Sequence, residues 1–171
     1  MYVLKIIMLI AVFCTSTVIG ILISKKYSNR LKILKELKNA LSIFKVKINY
    51  SFETIPDVFK DISNKTKGTT SKIFEETVKN LNEKNMNAGE AWEKAVEVNG
   101  EDLKKEDISC LKDLGKLLGK TDVEGQIAKI DLVSQFIDKQ ISEATDDKNK
   151  NEKMYQKLGA IVGLVIVIVL V

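Results

Sequence analysis

Both ends of this chain are apolar over lengths that suit a lipid bilayer, and this feature constrains the fold more than any other. Residues 6–23 read IIMLIAVFCTSTVIGILI without a charged side chain. A helix of that length is about 27 Å long, close to the thickness of a bilayer core. Residues 158–171 read LGAIVGLVIVIVLV, with no polar stripe to face water. We therefore predict one transmembrane helix over residues 1–24 and a second over residues 158–171.

Each apolar end has an alternative interpretation. The alternative for the first apolar end is a cleaved signal peptide with Lys5 in its n-region. The length of the apolar run and the lack of a small-x-small cleavage site favour an uncleaved anchor. The second is short for a span and has a buried core helix as its alternative, although Met154 and Tyr155 can extend it. Gly159 and Gly163 have a small-xxx-small spacing, which predicts a helix–helix contact in the membrane.

Positive charge flanks both apolar ends on the side that faces the middle of the chain. Four cations follow the first end and four precede the second: Lys25, Lys26, Arg30, Lys32, Lys148, Lys150, Lys153 and Lys157. Tyr27 and Tyr155 stand where interfacial aromatic residues usually anchor a span. Because positive loops are retained on the cytoplasmic side, we predict that residues 25–157 are cytoplasmic and that both termini lie on the opposite side.

The middle of the chain has the three-and-four-residue apolar spacing of amphipathic helices. A single proline and few aromatic residues disfavour a sheet-rich fold. Helix start and stop signals predict six helices. The first runs from the first span to about Phe52, the second is capped by Thr54 with Pro56 in its first turn, and the others cover about 73–81, 88–98, 105–118 and a segment that starts near Thr121 or Asp122.

These amphipathic helices can bury their apolar stripes only by packing on one another. We therefore predict an all-α fold in which residues 25–157 form a six-helix antiparallel bundle between the two transmembrane helices. The polar stretches 82–87 and 145–151 lack apolar anchors, and we expect them to be the mobile parts.

Several kinds of chemistry are missing from the sequence. It contains no histidine, the commonest general base near neutral pH and the commonest metal ligand. It has no GxxxxGK[ST] loop, and its two cysteines, Cys14 and Cys110, lie in an apolar and a charged segment and cannot plausibly pair. Lysines alternate with acidic residues, which disfavours nucleic-acid binding. We predict a protein that is not an enzyme, has no cofactor or metal site, and acts by binding.

Two features of the middle region are candidate contact sites. Trp92 is an interface candidate because tryptophan is enriched at hot spots, but its aliphatic neighbours at helical spacing favour a core position. The segment LGKLLGKTDVEGQ supplies further structural or partner-docking candidates: Leu114, Gly115, Leu118, Gly119, Asp122 and Gln126. Close packing at Gly115 and a helix C-cap at Gly119 form the structural interpretation. A docking surface for a partner protein is the other interpretation.

Five passages carry a family resemblance that extends over essentially the whole chain. They are the basic helix RLKILKELKNAL, the passage INYSFETIPDVF, AWEKAV around Trp92, LGKLLGKTDVEGQ over residues 114–126, and LGAIVG at the start of the second span. With these passages the chain resembles the stage III sporulation protein AB family of endospore-forming bacteria. The LGKLLGKTDVEGQ passage is the most specific of the five.

The resemblance implies a structural membrane platform in the channel, or feeding tube, that joins mother cell and forespore. It implies a cytoplasmic domain similar to that of the F-type platform proteins of type II secretion, located at the mother-cell membrane around the forespore. The implied partners are other stage III channel subunits, including a separate cytoplasmic ATPase. The alternative is a self-associating membrane adaptor or sensor unrelated to secretion, and homo-oligomerisation is left open.

Overall fold

The computed structural model describes residues 2–51, 53–84, 86–116, 118 and 122–170 of the chain. The described residues form helices and no strand, so the predicted all-α fold is confirmed. The helices are α1 (Tyr2–Tyr50), α2 (Ile55–Lys65), α3 (Gly68–Lys84), α4 (Ala88–Asn99), α5 (Lys105–Gly115) and α6 (Val123–Leu170). The two apolar ends are not separate helices, because they are the first part of α1 and the last part of α6.

The chain divides into two compact units. One unit contains Met1–Leu31 and Glu143–Val171 and is called the helix-pair unit below. The other contains Lys32–Ser142 and is called the bundle unit. The predicted membrane boundaries near residues 24 and 158 stay predictions.

Local capping residues set where several helices begin, as the sequence predicts. The Thr54 hydroxyl accepts the Asp57 backbone N–H at the start of α2, with Pro56 in the first turn. The Asn87 side chain accepts the Glu90 N–H at 3.0 Å before α4. The Asp122 carboxylate accepts the Gly125 N–H at 2.9 Å before α6. Each bond satisfies a helix N–H that has no partner within its own helix.

One predicted helix boundary is wrong, and one stretch expected to be mobile is helical. The prediction for α5 extended to Leu118, whereas the helix ends at Gly115 and Leu118 donates its N–H back to the Gly115 carbonyl at 3.1 Å in a turn. The stretch 145–151 was expected to be mobile, but it is continuous helix within α6. Ion pairs lie along this stretch, since Asp147 is 3.6 Å from Arg30 and Lys148 is 3.9 Å from Glu152. The predictions for Phe52, Gly119 and Thr121 concern positions outside the described residues.

An aromatic cluster occupies the core of the bundle unit. Phe59 of α2 contacts the rings of Phe44, Phe74 and Trp92, with centroid separations of 5.0, 5.2 and 5.7 Å. All four rings are fully buried. The cluster draws on four helices, so α1 to α4 share one core. Such tilted and edge-to-face pairs add to the free energy of ordinary apolar burial.

In the bundle unit α1 and α6 run antiparallel and are joined by ion pairs. The Lys45 ammonium lies 2.6 Å from the Asp131 carboxylate. Lys38 pairs with Asp138 about two helical turns away. All four side chains are substantially exposed, so each pair contributes little to the free energy of unfolding. Their consequence is a fixed register between the two helices, in which numbers rise along α1 as they fall along α6.

The core role of Trp92 predicts a large loss of stability on truncation. Trp92→Ala removes the ring and leaves the Leu111 carbonyl without its indole donor, so we expect the free energy of unfolding to fall by about 3–5 kcal/mol. The matched control is Val98→Ala in the same helix, where the side chain is exposed and the expected loss is under about 0.5 kcal/mol. Urea unfolding of the full chain in detergent micelles, followed by far-UV circular dichroism, measures both. Equal losses would refute the core assignment.

Candidate functional site

The apolar parts of α1 and α6 approach each other through glycine. A Cβ atom added to Gly159 would lie 2.8 Å from the Cα of Gly20, and one added to Gly20 would lie 2.7 Å from the Tyr155 carbonyl oxygen. Side-chain atoms do not fit at such distances, so the two helices can approach this closely only because both positions are glycine. At Gly163 an added Cβ would lie 3.1 Å from the Ser16 Cβ. The predicted helix contact of Gly159 and Gly163 is therefore placed within the chain itself, against α1.

Sequence reasoning missed the other half of this contact, although a signal for it exists. Ser16, Gly20 and Ser24 follow one another at four-residue intervals in the first apolar end, the same small-residue spacing that marks Gly159 and Gly163. A small-residue stripe in each end is the pattern expected of two helices that pack on each other.

Hydrogen bonds extend the contact between the two helices. The Ser16 hydroxyl donates to the Gly159 carbonyl at 2.8 Å, and the Gln156 amide donates to the Ser24 hydroxyl at 3.2 Å. Ser24 is fully buried. Because lipid offers no partner for a polar group, bonds of this kind add to helix association where the segments are surrounded by hydrocarbon.

A stacked aromatic pair and an ion cluster lie beyond Ser24 in the same unit. The rings of Tyr27 and Tyr155 stack with a centroid separation of 5.7 Å. Arg30 is nearly buried, and its guanidinium lies 3.8 Å from Glu143 and 3.6 Å from Asp147. A buried guanidinium requires carboxylate partners, since an unpaired charge out of water is strongly unfavourable. The helix pair thus changes from apolar to aromatic to ionic contacts along its length.

The apolar parts of α1 and α6 are long and apolar enough to cross a membrane, by length and composition. In the most apolar window of each helix only 6% of residues are buried within the chain. A core helix of a water-soluble protein would be largely covered by its neighbours, so this exposure disfavours the core-helix interpretation of the second end.

The candidates at the α4–α5 corner lie mostly in the interior. Trp92 is fully buried and donates its indole N–H to the Leu111 carbonyl at 2.6 Å. A Cβ on Gly115 would lie 2.7 Å from the Trp92 ring, so only glycine lets α5 approach that ring. Gly89 was not predicted from sequence; its carbonyl oxygen lies against Gly115, and a Cβ added to it would lie 2.6 Å from the Gly115 oxygen.

The remaining candidates of the LGKLLGKTDVEGQ segment divide between core and surface. Leu114 and Leu118 are buried. Asp122 is exposed and caps α6, and Gln126 is half-buried one turn later. Gly119 lies outside the described residues. The structure thus brings Trp92 and Gly115 into contact, buries Leu114 and leaves Asp122 at the surface.

Cys110 lies half-buried on α5, beside a groove that Val133 and Phe136 of α6 also line. Burial raises the pKa of the Cys110 thiol to about 11, although nearby Lys129 acts in the opposite direction. The thiolate is the nucleophilic form of cysteine. Cys110 therefore has the opposite environment from that of an activated cysteine. Among the described residues, no group of three or more Cys, Asp or Glu side chains is arranged to hold a metal ion.

Comparison with known proteins extends over nearly the whole chain. A sequence model of the stage III sporulation protein AB family matches residues 5–171. The chain belongs to this family. It is 25% identical to stage III sporulation protein AB of Bacillus subtilis (strain 168) over 169 residues, which are 98% of this chain and 99% of that protein. A solved structure of stage III sporulation protein AB (SpoIIIAB) is similar in fold, with a TM-score of 0.66 at 22% identity, over 71% of this chain and 98% of that one. The resemblance stated from sequence is confirmed.

The contact between Ser16 and Gly163 predicts an engineered disulfide. Their Cβ separation would be 3.1 Å, near the range of disulfide-bonded cysteines. In a Cys14→Ser, Cys110→Ala background, we expect Ser16→Cys with Gly163→Cys to form a bond within one chain on mild oxidation. Val162→Cys replaces Gly163→Cys as the control, because Val162 is exposed. Mass spectrometry and non-reducing gels distinguish the intrachain product. A bond that forms only between two chains would contradict the intrachain contact and favour self-association.

The raised pKa of Cys110 predicts an unusual pH dependence of alkylation. Below its pKa the thiolate fraction rises tenfold per pH unit, so in a Cys14→Ser chain the iodoacetamide rate at Cys110 should increase about a hundredfold from about pH 8 to about pH 10. An exposed cysteine, Lys94→Cys with Cys110→Ala, should gain only about fourfold over the same interval, because its pKa lies near 8.5. A plateau near pH 9 at Cys110 would show that the thiol is not desolvated.

Proposed function

We propose that this protein is a structural platform subunit of the channel complex between mother cell and forespore, which couples a separate cytoplasmic ATPase to other membrane subunits. Family membership over residues 5–171 supports a role in stage III of sporulation. The observation that carries the platform role is the pairing of two apolar helices through Gly20 and Gly159. This pairing gives the chain a two-helix membrane anchor. The bundle unit is formed by Lys32–Ser142.

The proposed placement puts residues 25–157 in the mother-cell cytoplasm and both termini on the other side of the membrane. The cations that flank the two apolar ends support this orientation, since all of them except Lys5 belong to the segment between those ends. The bundle would then be the F-like domain of the platform, positioned to meet a cytoplasmic ATPase.

The chain would act by binding and would not catalyse. The absence of histidine from the sequence and the poorly nucleophilic Cys110 support this part of the proposal. In this proposal the platform acts by transmitting movement between its partners. The aromatic core of the bundle supports this, because a close-packed interior transmits a displacement with little internal rearrangement.

The docking role of the α4–α5 corner stays a prediction, now limited to the exposed side chains of that corner. Because Trp92, Leu114 and Gly115 are packing residues, a partner would touch exposed side chains that they position. Lys116 is the clearest of these side chains, because its ammonium group is exposed. Within the described part of the chain, its one ion pair is with Asp113, at 2.6 Å. Self-association through Gly159 and Gly163 is not proposed, since α1 of the same chain covers that face.

Co-purification tests the platform role. The full chain in lipid nanodiscs, with the other membrane subunits of the complex, should retain the channel ATPase at micromolar concentration. Lys116→Glu should weaken retention by at least about tenfold if the corner contributes a charged contact, whereas Lys60→Glu on α2, equally exposed, should leave it unchanged. Absence of retention by the unmodified assembly would contradict the proposed function. Equal retention of the ATPase by both variants would contradict only the docking role of the α4–α5 corner.

A further inference from the structure

Four lysines of the helix-pair unit lie next to its apolar segments. Lys25, Lys26, Lys153 and Lys157 are exposed, and within the described part of the chain none of them has a hydrogen bond or ion pair. We call these four residues the lysine collar. Two other cations of the unit are paired, since Arg30 lies beside two carboxylates and Lys148 is 3.9 Å from Glu152.

The sequence withholds carboxylates from the collar. No aspartate or glutamate occurs in residues 1–35 or 153–171. The collar therefore has an excess of positive charge, since Glu152, the acidic residue next to it in sequence, lies 3.9 Å from Lys148. An unpaired charge cluster of this kind attracts counter-ions, and the geometry around it determines which ones.

The contacts between α1 and α6 bring the collar to one level of the helix pair. The bond between Gln156 and Ser24 and the stack of Tyr155 on Tyr27 place residues 24–27 beside residues 153–157. Immediately next to this level the surface becomes apolar, with Ile23 and Leu158 both exposed. With the apolar parts in a bilayer, the ammonium groups lie at the depth of the lipid phosphates, beside two tyrosines suited to the interface.

We propose that the lysine collar binds the headgroups of anionic phospholipids and so gives the protein a preference for negatively charged membrane. The lysine ammonium groups donate to phosphate oxygens, and a headgroup without its own cation leaves that phosphate charge uncompensated. A zwitterionic headgroup offers the same oxygens but neutralises the charge itself. The inference rests on the membrane placement in the proposed function, and it adds the class of lipid.

The experiment measures which lipid stays with the full chain. Nanodiscs that contain equal amounts of phosphatidylglycerol and phosphatidylcholine are disrupted with mild detergent, and native mass spectrometry counts the lipids retained. Each lysine near an anionic surface contributes about a fivefold preference before screening by salt. We expect the unmodified chain to retain phosphatidylglycerol over phosphatidylcholine by at least about tenfold.

Three matched variants separate a collar from charge in general. Lys→Gln at all four collar positions should bring the lipid ratio close to one, and Lys→Arg at the same positions should keep it. The control carries Lys→Gln at four exposed lysines of the bundle unit whose side chains have no hydrogen bond or ion pair with the described residues: Lys60, Lys94, Lys105 and Lys139. It has the same net charge as the first variant and should keep the preference. Loss of the preference in the control, or its survival in the collar Lys→Gln variant, would overturn the proposal.

Two further outcomes are informative. Displacement of the retained lipid by inorganic phosphate at constant ionic strength would identify a site for free phosphate and overturn the lipid assignment. A vesicle flotation assay separates this inference from the proposed function. A chain that floats but shows no anionic preference overturns the collar alone, whereas a chain that does not float contradicts the membrane placement itself.

Discussion

The close approach of Gly20 to Gly159 is the contact on which the account of this protein depends. A side chain at either position would clash with the backbone of the other helix. Glycine at both positions therefore allows the two apolar ends to approach this closely. Around this contact a Ser16 hydroxyl and a Gln156 amide donate across the pair. These two bonds join the helices and add to their pairing.

A different kind of contact stabilises the bundle unit. There the helices meet through large buried rings centred on Phe59, while α4 and α5 approach closely where Gly89 faces Gly115. Ion pairs such as Lys45 with Asp131 lie at its surface, where they fix register more than they add stability. A unit of this kind has a rigid interior and a charged exterior, which suits a protein that holds other proteins in position.

Local signals in the sequence predicted the helices and their caps, since Thr54 and Asp122 need only their own neighbours to cap a helix. Tertiary contacts decided the rest. Gly115, at the end of α5, lies against the Trp92 ring, and Asp147, in the continuous stretch 145–151 of α6, lies 3.6 Å from Arg30. The partner of Gly159 could have been found from the spacing of small residues in the first apolar end. The burial of Leu114 and Leu118 could not be distinguished from a docking role by sequence alone.

In the proposed topology, two paired helices cross the membrane and residues 25–157 lie in the cytoplasm. Cysteine labelling with a membrane-impermeant maleimide tests it most directly, in a Cys14→Ser, Cys110→Ala chain produced in a heterologous bacterium. One cysteine replaces exposed Lys94 in the bundle unit, and another is appended after Val171. In intact spheroplasts the account predicts labelling of the appended cysteine only, with Lys94→Cys labelled after lysis. Labelling of Lys94→Cys in intact spheroplasts would contradict it.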